Sequence, residues 1–432
     1  MKMANMDDYF DVVIVGTGAA GLYCALNLPA RYRILLLTKQ KADESDSFLA
    51  QGGICMQHGE ADYRPFFDDT MRAGHYENNP ATVDLMIRSS NSIIRDLVRR
   101  GVRFARDDHG ALRFTREGAH SRPRILFHED ITGHEITQTL LNEVLRCENI
   151  ELREHTTLLD FFADASACGG VIAAGPDGEP RAIGAGAVVL ACGGIGGLYK
   201  NSTNFPHITG DAIAMALRHG VACEHLDYIQ IHPTTLYSHR KGRRFLISES
   251  VRGEGALLLD KNGNRFTNEL QPRDVVSAAI RAQMEKDSTD HVWEDMRPIG
   301  EAAIREHFPN ILERCEEEGY DPIHEPIPVV PAQHYFMGGI TADLSSRTAL
   351  PRLYACGETC CNGVHGRNRL ASNSLLESLV FAQCAADDIL YGEPPVFTGD
   401  KPDLAPYREQ EPLFAAYQQE VLTAIERSKN HE

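Results

Sequence analysis

Short runs of unbroken apolar residues recur along the chain, and several end in glycine. Asp11 to Val15, Ile34 to Leu37 and Ala187 to Ala191 read as strands buried on both faces, as a parallel sheet requires. Leu22 to Leu28 has helical spacing, so the first two runs form a βαβ unit with short connections. A loop of small and polar residues follows from Gln40 to Gly53. From Pro80 to Arg100 the apolar residues Leu85, Met86, Ile93, Ile94, Leu97 and Val98 predict one long helix. Helices are also expected over Glu135 to Leu145, Asp211 to His219, Val275 to Lys286 and Ser374 to Leu390. A strand pair is expected around Ala111 to Phe114. Val171 to Ala174 and Arg181 to Ile183 flank Pro176-Asp177-Gly178 like the arms of a hairpin. Leu353 to Ala355 is a further short strand.

Between Leu226 and Ala332 the texture changes to more charge and fewer glycines, which predicts an inserted domain. The expected division is 1–225 and 333–393 for one discontinuous domain, 226–332 for the insertion, and 394–432 for a short helical C-terminal segment. No internal repeat is visible.

Composition narrows the function classes. The 432 residues, 43% hydrophobic and 24% charged, are those of a folded globular chain. A net charge of −18 repels phosphate backbones and anionic membranes, so neither nucleic acid nor a membrane is an expected partner. Eleven cysteines without a C-x-x-C pair predict reduced thiols and no metal or iron–sulfur site. No basic-then-apolar leader opens the sequence, and the longest apolar run, Ala187 to Tyr199, is too short to span a bilayer. A cytoplasmic location is expected.

Gly16-Thr17-Gly18-Ala19-Ala20-Gly21 lies between a strand and a helix, the context in which G-x-G-x-x-G means dinucleotide binding. The first glycine permits the turn, the second admits a pyrophosphate, and the third lets helix and strand pack closely. An acid that binds a ribose is expected about 20 residues on. Thr38-Lys39 stands there instead, a departure from the usual NAD site that makes Lys39 a candidate phosphate partner. Ser47-Phe48-Leu49-Ala50-Gln51-Gly52-Gly53 suits close approach of backbone to a flat ring. Candidate anion binders are Arg116 to Ser121, Gln230-x-His232-Pro233-Thr234, Arg273-Asp274, His334 to Gly339 and Arg367-Asn368-Arg369.

The order of these pieces resembles the flavoprotein family of succinate dehydrogenases, fumarate reductases and L-aspartate oxidases. The pieces include Ala50-Gln51-Gly52-Gly53, Ala191-Cys192-Gly193-Gly194, Thr209-Gly210-Asp211, His232-Pro233-Thr234, Glu249-x-x-Arg252-Gly253-Glu254-Gly255, Pro272-Arg273-Asp274, His334-Tyr335-x-Met337-Gly338-Gly339, Gly357-Glu358 and Asn373-Ser374-Leu375-Leu376-Glu377. The resemblance runs from Val12 to about Ala386. Thr115-Arg116-Glu117-Gly118-x-His120-Ser121 is most similar to the aspartate-oxidising branch, since the dehydrogenases and fumarate reductases carry a non-acidic residue where Glu117 stands, and a substrate ammonium wants such a carboxylate.

The resemblance implies an α/β fold: a Rossmann-like FAD-binding domain with an inserted α+β capping domain and a short helical C-terminal tail. It implies oxidation of L-aspartate to iminoaspartate, the flavin being reoxidised by oxygen or fumarate, with the product passing to quinolinate synthase as the first step of NAD biosynthesis. Arg369, His334, His232 and Ser248 would hold the substrate carboxylates, with Gln230 beside them. Arg273 would donate or accept a proton at the reacting carbon, and Glu117 would orient the ammonium. FAD would be non-covalent, since Asp46 or Ser47 falls where covalent members carry histidine. The glycine turn, Glu358, Asp211, Asn373, Ser374 and Leu375 would contact FAD, and Leu158 and Leu159 would wall the adenine. Relatives of this branch commonly end in a longer helical domain, whereas Asp400 to Glu432 has room for one or two helices. The rival readings are a soluble fumarate reductase or succinate dehydrogenase flavoprotein, which would need no Glu117, and a flavin-binding protein without turnover.

Overall fold

The computed structural model describes residues 8–240, 242–392, 397 and 399–430, so the expected boundary at Pro394 lies outside the described residues. The main sheet contains β1 (Tyr9–Val15), β2 (Ile34–Leu37), β3 (Ile150–Arg153), β4 (Thr157–Ala163), β5 (Cys168–Ala174) and β6 (Pro180–Leu190), in the order β3-β2-β1-β6-β5-β4. The runs are unbroken because both faces are covered. Val12, Ile14, Ile34 and Leu36 enter one core, and Val13, Val15, Leu35 and Leu37 enter the other. The first core is closed by helices α1 (Ala19–Asn27), α2 (Pro80–Arg100) and α3 (Thr132–Val144). The second is closed by α4 (Asp211–Arg218). Helix α2 fills its predicted span because both ends are specified. The Asn79 side chain accepts from the Ala81 amide ahead of Pro80, and Gly101 ends the helix at φ +107°.

Two local expectations change. The hairpin arm at Arg181 and the run at Ala187 are one strand, β6. Its first half pairs antiparallel with β5 and its second half parallel with β1. Gly184-Ala185-Gly186 imitates a break in the pattern, but a Cβ on Gly186 would sit 2.4 Å from the Asp11 carbonyl oxygen. The second concerns Ala111 to Phe114. The strand there is Phe114–Thr115, paired with Ile125–Leu126, and Leu112 makes only an isolated bridge to Arg106.

The insertion carries its own antiparallel sheet of β7 (Ile229–Leu236), β8 (Leu257–Leu259), β9 (Val292–Asp295) and β10 (Ile327–Phe336), in the order β7-β10-β9-β8. Helices α5 (Glu249–Gly253) and α6 (Arg273–Asp287) pack on it around Ile247, Val251, Val276, Ile280 and Val329. The chain then returns to the main sheet as β11 (Leu353–Ala355), parallel to β6. Helix α7 (Asn373–Tyr391) joins the first core, and α8 (Gln410–Lys429) lies on the second beside α4. All eleven cysteines are free.

A buried ion cluster fixes the loop that carries Glu117. Arg124 is fully buried and donates to Asp62 at 2.9 Å and to Asp69 at 2.8 Å, with His120 Nδ1 at 2.9 Å. Burial opposes ionisation of Asp69, but the Ser121 hydroxyl and amide and Arg124 outweigh it and hold the carboxyl below its ordinary value. Burial, seconded by Arg124, pushes His120 down to about 4, so it is neutral at pH 7. Removing the guanidinium strands two buried carboxylates. Arg124→Met is therefore expected to destabilise the fold by about 3–5 kcal/mol, read as a drop in Tm. Because the folded pKa of Asp69 is depressed, its contribution is present above the unfolded value of about 3.9 and is lost as pH falls through the folded value. The wild-type Tm should fall in that acid range more steeply than that of an Asp69→Asn variant.

Candidate functional site

A cleft enclosing about 1680 Å³, counting its open mouth, begins where β1 and β2 end and passes beneath the insertion. This is the edge at which parallel α/β sheets bind ligands. Gly16, Thr17, Gly18 and Ala20 form its floor. Gly16 has φ +114°, and a Cβ there would stand 2.0 Å from the Ala191 carbonyl oxygen, so the turn demands glycine. The Ser47 hydroxyl accepts from the Ala19 amide at 3.0 Å and braces the turn. Ala50, Gln51, Gly52 and Gly53 line one wall, and Ser374 and Leu375, in the first turn of α7, line another.

At one end Lys39 donates to Asp211 at 2.7 Å, and Thr209 donates to the other oxygen of that carboxylate at 2.7 Å. Thr156, Thr157 and Leu158 close this end. Between the ends stand Asp46, pushed up by burial to about 7, and Glu358, pushed up to about 8 by burial and then by Asp46. Ser45 Oγ, Asp46 Oδ2, Gln51 Oε1 and His232 Nε2 are buried without a partner among the described residues, and all four residues line this cleft. A helix N-terminus at a glycine turn, a long groove and a row of unsatisfied polar atoms fit an extended dinucleotide such as FAD.

The other end gathers residues far apart in sequence. Arg273, at the start of α6, donates to Glu249 at 2.5 Å and to Gln230 Oε1 at 2.8 Å. Arg369 donates to Ser374 Oγ at 2.5 Å and to the same Gln230 oxygen at 3.3 Å, with its guanidinium 4.3 Å from the centre of the Tyr335 ring. Burial and the neighbouring Arg273 lower Arg369 to about 10, still protonated at pH 7. Burial, then Arg273, holds both His232 and His334 well below the ordinary histidine value, so both rings are neutral. Their ring centres lie 5.1 Å apart. Thr203 Oγ1 is 2.7 Å from His334 Nδ1. Glu117 accepts from Ser250 at 2.8 Å and from Ser372 at 2.6 Å. Burial first and Glu249 second raise its pKa, against the pull of those hydroxyls and Arg273. Burial also opposes Glu249, but Arg273 and Arg252 outweigh it and keep that carboxyl low.

Of the sequence candidates, Glu117, His232, Ser248, Arg273, His334 and Arg369 line the cleft together. Gln230 stands behind both arginines and faces a second cavity. Ala19 and Gly21 are not in the lining; a Cβ on Gly21 would meet the Gly16 carbonyl oxygen at 1.9 Å, so its part is packing. Leu159 turns away from the cleft because neighbours on a strand point to opposite faces, and it packs with Phe162 and Ile172 instead. Asn373 also turns away, donating to Thr70 at 3.2 Å. Arg116 and Arg367 are exposed outside the cleft. Glu249, Ser250, Ser372 and Thr203 are site residues that sequence reasoning misses. Only Glu249 leaves a signal, since a buried arginine needs a counter-charge and Glu249-x-x-Arg252 puts one on a helix turn.

Residues 11–375 match the family model described as FAD binding domain. The chain is 48% identical over 380 residues to an L-aspartate oxidase of Clostridium perfringens, covering 88% of this chain and 86% of that one. It is 45% identical over 414 residues to an L-aspartate oxidase of a Nostoc species, covering 91% of this chain and 71% of that one. Among solved structures it is similar to E. coli quinol fumarate reductase FrdA, with a TM-score of 0.83, 31% identity, and coverage of 95% and 74%.

The carboxyls along the cleft set a pH dependence for cofactor binding. Asp46 and Glu358, raised to about 7 and about 8, become anionic as pH climbs, next to where a pyrophosphate would lie. The affinity of the apoprotein for FAD should therefore weaken from pH 6 to pH 9, as followed by flavin fluorescence. Asp46→Asn should flatten that slope.

Proposed function

The chain belongs to the FAD-binding flavoprotein family of succinate dehydrogenases, fumarate reductases and L-aspartate oxidases, and we propose that it oxidises L-aspartate to iminoaspartate. The carrying observation is Glu117. It is a buried carboxylate, held by two hydroxyls, in a pocket whose other charged groups include two arginines. A dicarboxylate substrate gives those arginines partners. An α-ammonium gives Glu117 one. Fumarate reductases have the same fold, but a substrate without an amino group would leave Glu117 facing it as a buried charge, which is costly. When bound, FAD would supply the hydride acceptor for oxidation at the substrate Cα.

The rest of the work falls to the chain. Arg369, anchored by Ser374 and Gln230, holds one carboxylate bidentately. In the tautomer in which Thr203 donates to Nδ1, His334 carries its proton on Nε2 and donates to the substrate as a neutral ring. His232, whose Nε2 lacks a partner among the described residues, and Ser248 complete the cradle. Glu117 orients the ammonium, and its raised pKa suits it to receive a proton as the imine forms. Arg273, fixed by Glu249 and Gln230, faces the reacting carbon and supplies the proton when fumarate is reduced. Gly16, Thr17, Gly18, Ala20, Lys39, Ser47, Ala50 to Gly53, Leu158, Asp211, Glu358, Ser374 and Leu375 would hold FAD without a covalent bond.

The proposal extends to setting. Oxygen or fumarate takes the electrons, the reaction is cytoplasmic, and the product passes to a quinolinate synthase on the way to NAD. Among the described residues no helix is long and apolar enough to cross a membrane.

Anaerobic L-aspartate should bleach the flavin absorbance of the purified protein, while D-aspartate and succinate should not. Bleaching by succinate alone would move the reading to the fumarate reductases. Glu117→Gln should lower kcat/KM for L-aspartate by roughly ten- to hundredfold, the loss of a charge-assisted hydrogen bond. It should leave fumarate reduction within a few-fold, and equal losses in both reactions would remove Glu117 from ammonium binding.

A further inference from the structure

We infer that the C-terminal helix α8 clamps the adenosine end of the FAD cleft, with Phe414 acting through Lys39 as a positioning residue. Phe414 is not in the lining of the cleft. Its ring lies under the Lys39 ammonium, 4.8 Å from nitrogen to ring centre. Lys39 lines the cleft and holds the Asp211 carboxylate at 2.7 Å. The ring therefore backs a cation that in turn aims an anion into the cavity. This pair stands where a Rossmann turn ordinarily presents an acid to a ribose. Asp211, steered by Lys39 and Thr209, takes over that task.

Two further contacts of the same helix reach the same end of the cleft, one at a residue beside its lining and one at a lining residue itself. Tyr417 is fully buried and donates to the Leu159 carbonyl oxygen at 2.7 Å, next to Leu158. Val421 stands 3.5 Å from where a Cβ on Gly210 would lie, next to Asp211. Arg218 of α4 clasps Glu420 through two nitrogens, at 2.8 and 2.7 Å, and its guanidinium lies 4.4 Å from the centre of the Tyr417 ring. Three walls of one end, from β2, β4 and α4, are thus tied to a single helix. The substrate end shares none of these ties. The adenosine end is the one remote from Arg273 and His232, with the glycine turn between the two. The inference rests on the FAD site and not on the choice of substrate.

The test measures FAD binding to the full-length apoprotein by quenching of flavin fluorescence, with ADP as a competing probe of the adenosine half alone. Phe414→Leu keeps apolar bulk but removes the aromatic face. It should raise the Kd for FAD and the inhibition constant of ADP together by roughly three- to tenfold, the scale of a lost cation–π contact with loosening of its partners. Phe414→Trp, which keeps a ring, should restore both. Tyr417→Phe should weaken FAD and ADP in the same direction. Leu422→Ala, on the exposed face of the helix, should change neither. Each variant's apoprotein Tm is recorded alongside. FAD and ADP affinities within twofold of wild type for both Phe414→Leu and Tyr417→Phe would overturn the inference. So would a loss of affinity seen only with a Tm drop that Phe414→Trp shares. Because no L-aspartate is present, failure of aspartate oxidation leaves this result readable, and the converse also holds.

Discussion

The contact between Arg273 and Glu249 is the joint on which the substrate end depends. Both residues come from the inserted region, at the starts of α6 and α5, and both are buried. A guanidinium there without a counter-charge would cost several kcal/mol. Glu249 at 2.5 Å supplies that counter-charge, and a second nitrogen of Arg273 reaches Gln230. Gln230 shares the same oxygen with Arg369 and donates to the Arg369 carbonyl oxygen at 2.8 Å, so the position of one arginine fixes the other. Through this amide the inserted region and the segment before α7 build one anion cradle.

Glu117 is held by the opposite logic. It comes from a loop of the main domain, where Arg124 and its two aspartates supply the rigidity that a loop lacks. A Cβ on Gly52 would stand 2.3 Å from a Glu117 oxygen, so the Gln51-Gly52-Gly53 wall of the FAD groove leans directly on this carboxylate. Cofactor groove and substrate pocket thus share a wall one residue thick. This explains why the glycines sit in the sequence beside no chemistry of their own.

Much of this was legible where the signal is local. The βαβ unit shows because β1 and β2 bury both faces, and α2 shows because Asn79-Pro80 and Gly101 mark its ends. The sequence could not join the hairpin arm to the run at Ala187, because Gly186 serves close packing and, with Gly184, imitates a turn. Leu159 and Asn373 fail by phase: one residue along a strand reverses the face, and one along a helix turns it by about 100°. Ser250 and Ser372 carry no pattern at all. They matter only because folding brings positions 117, 250 and 372 together, and hydroxyls so placed are chosen by the carboxylate they meet.

Charge accounts for the selectivity of the cradle. Arg273 and Arg369 carry like charges, and after burial this repulsion is the next cause that lowers Arg369. Glu249 compensates Arg273, while among the described residues Arg369 meets an aromatic face and neutral polar groups rather than a carboxylate. Both histidines are kept neutral by burial first and by Arg273 second, since a third cation in this volume would be both desolvated and repelled. A neutral ring still donates through its one N–H, so the pocket offers one strong uncompensated charge and neutral polar groups. A monocarboxylate satisfies the charge but leaves the donors around the second position unpaired and desolvated, a cost of about 1–3 kcal/mol per group. A second carboxylate removes that cost, and on the proposed reading an ammonium beside it would meet Glu117. The pocket therefore distinguishes its ligand less by attraction, which any anion would feel, than by the buried groups that a smaller ligand would leave unanswered.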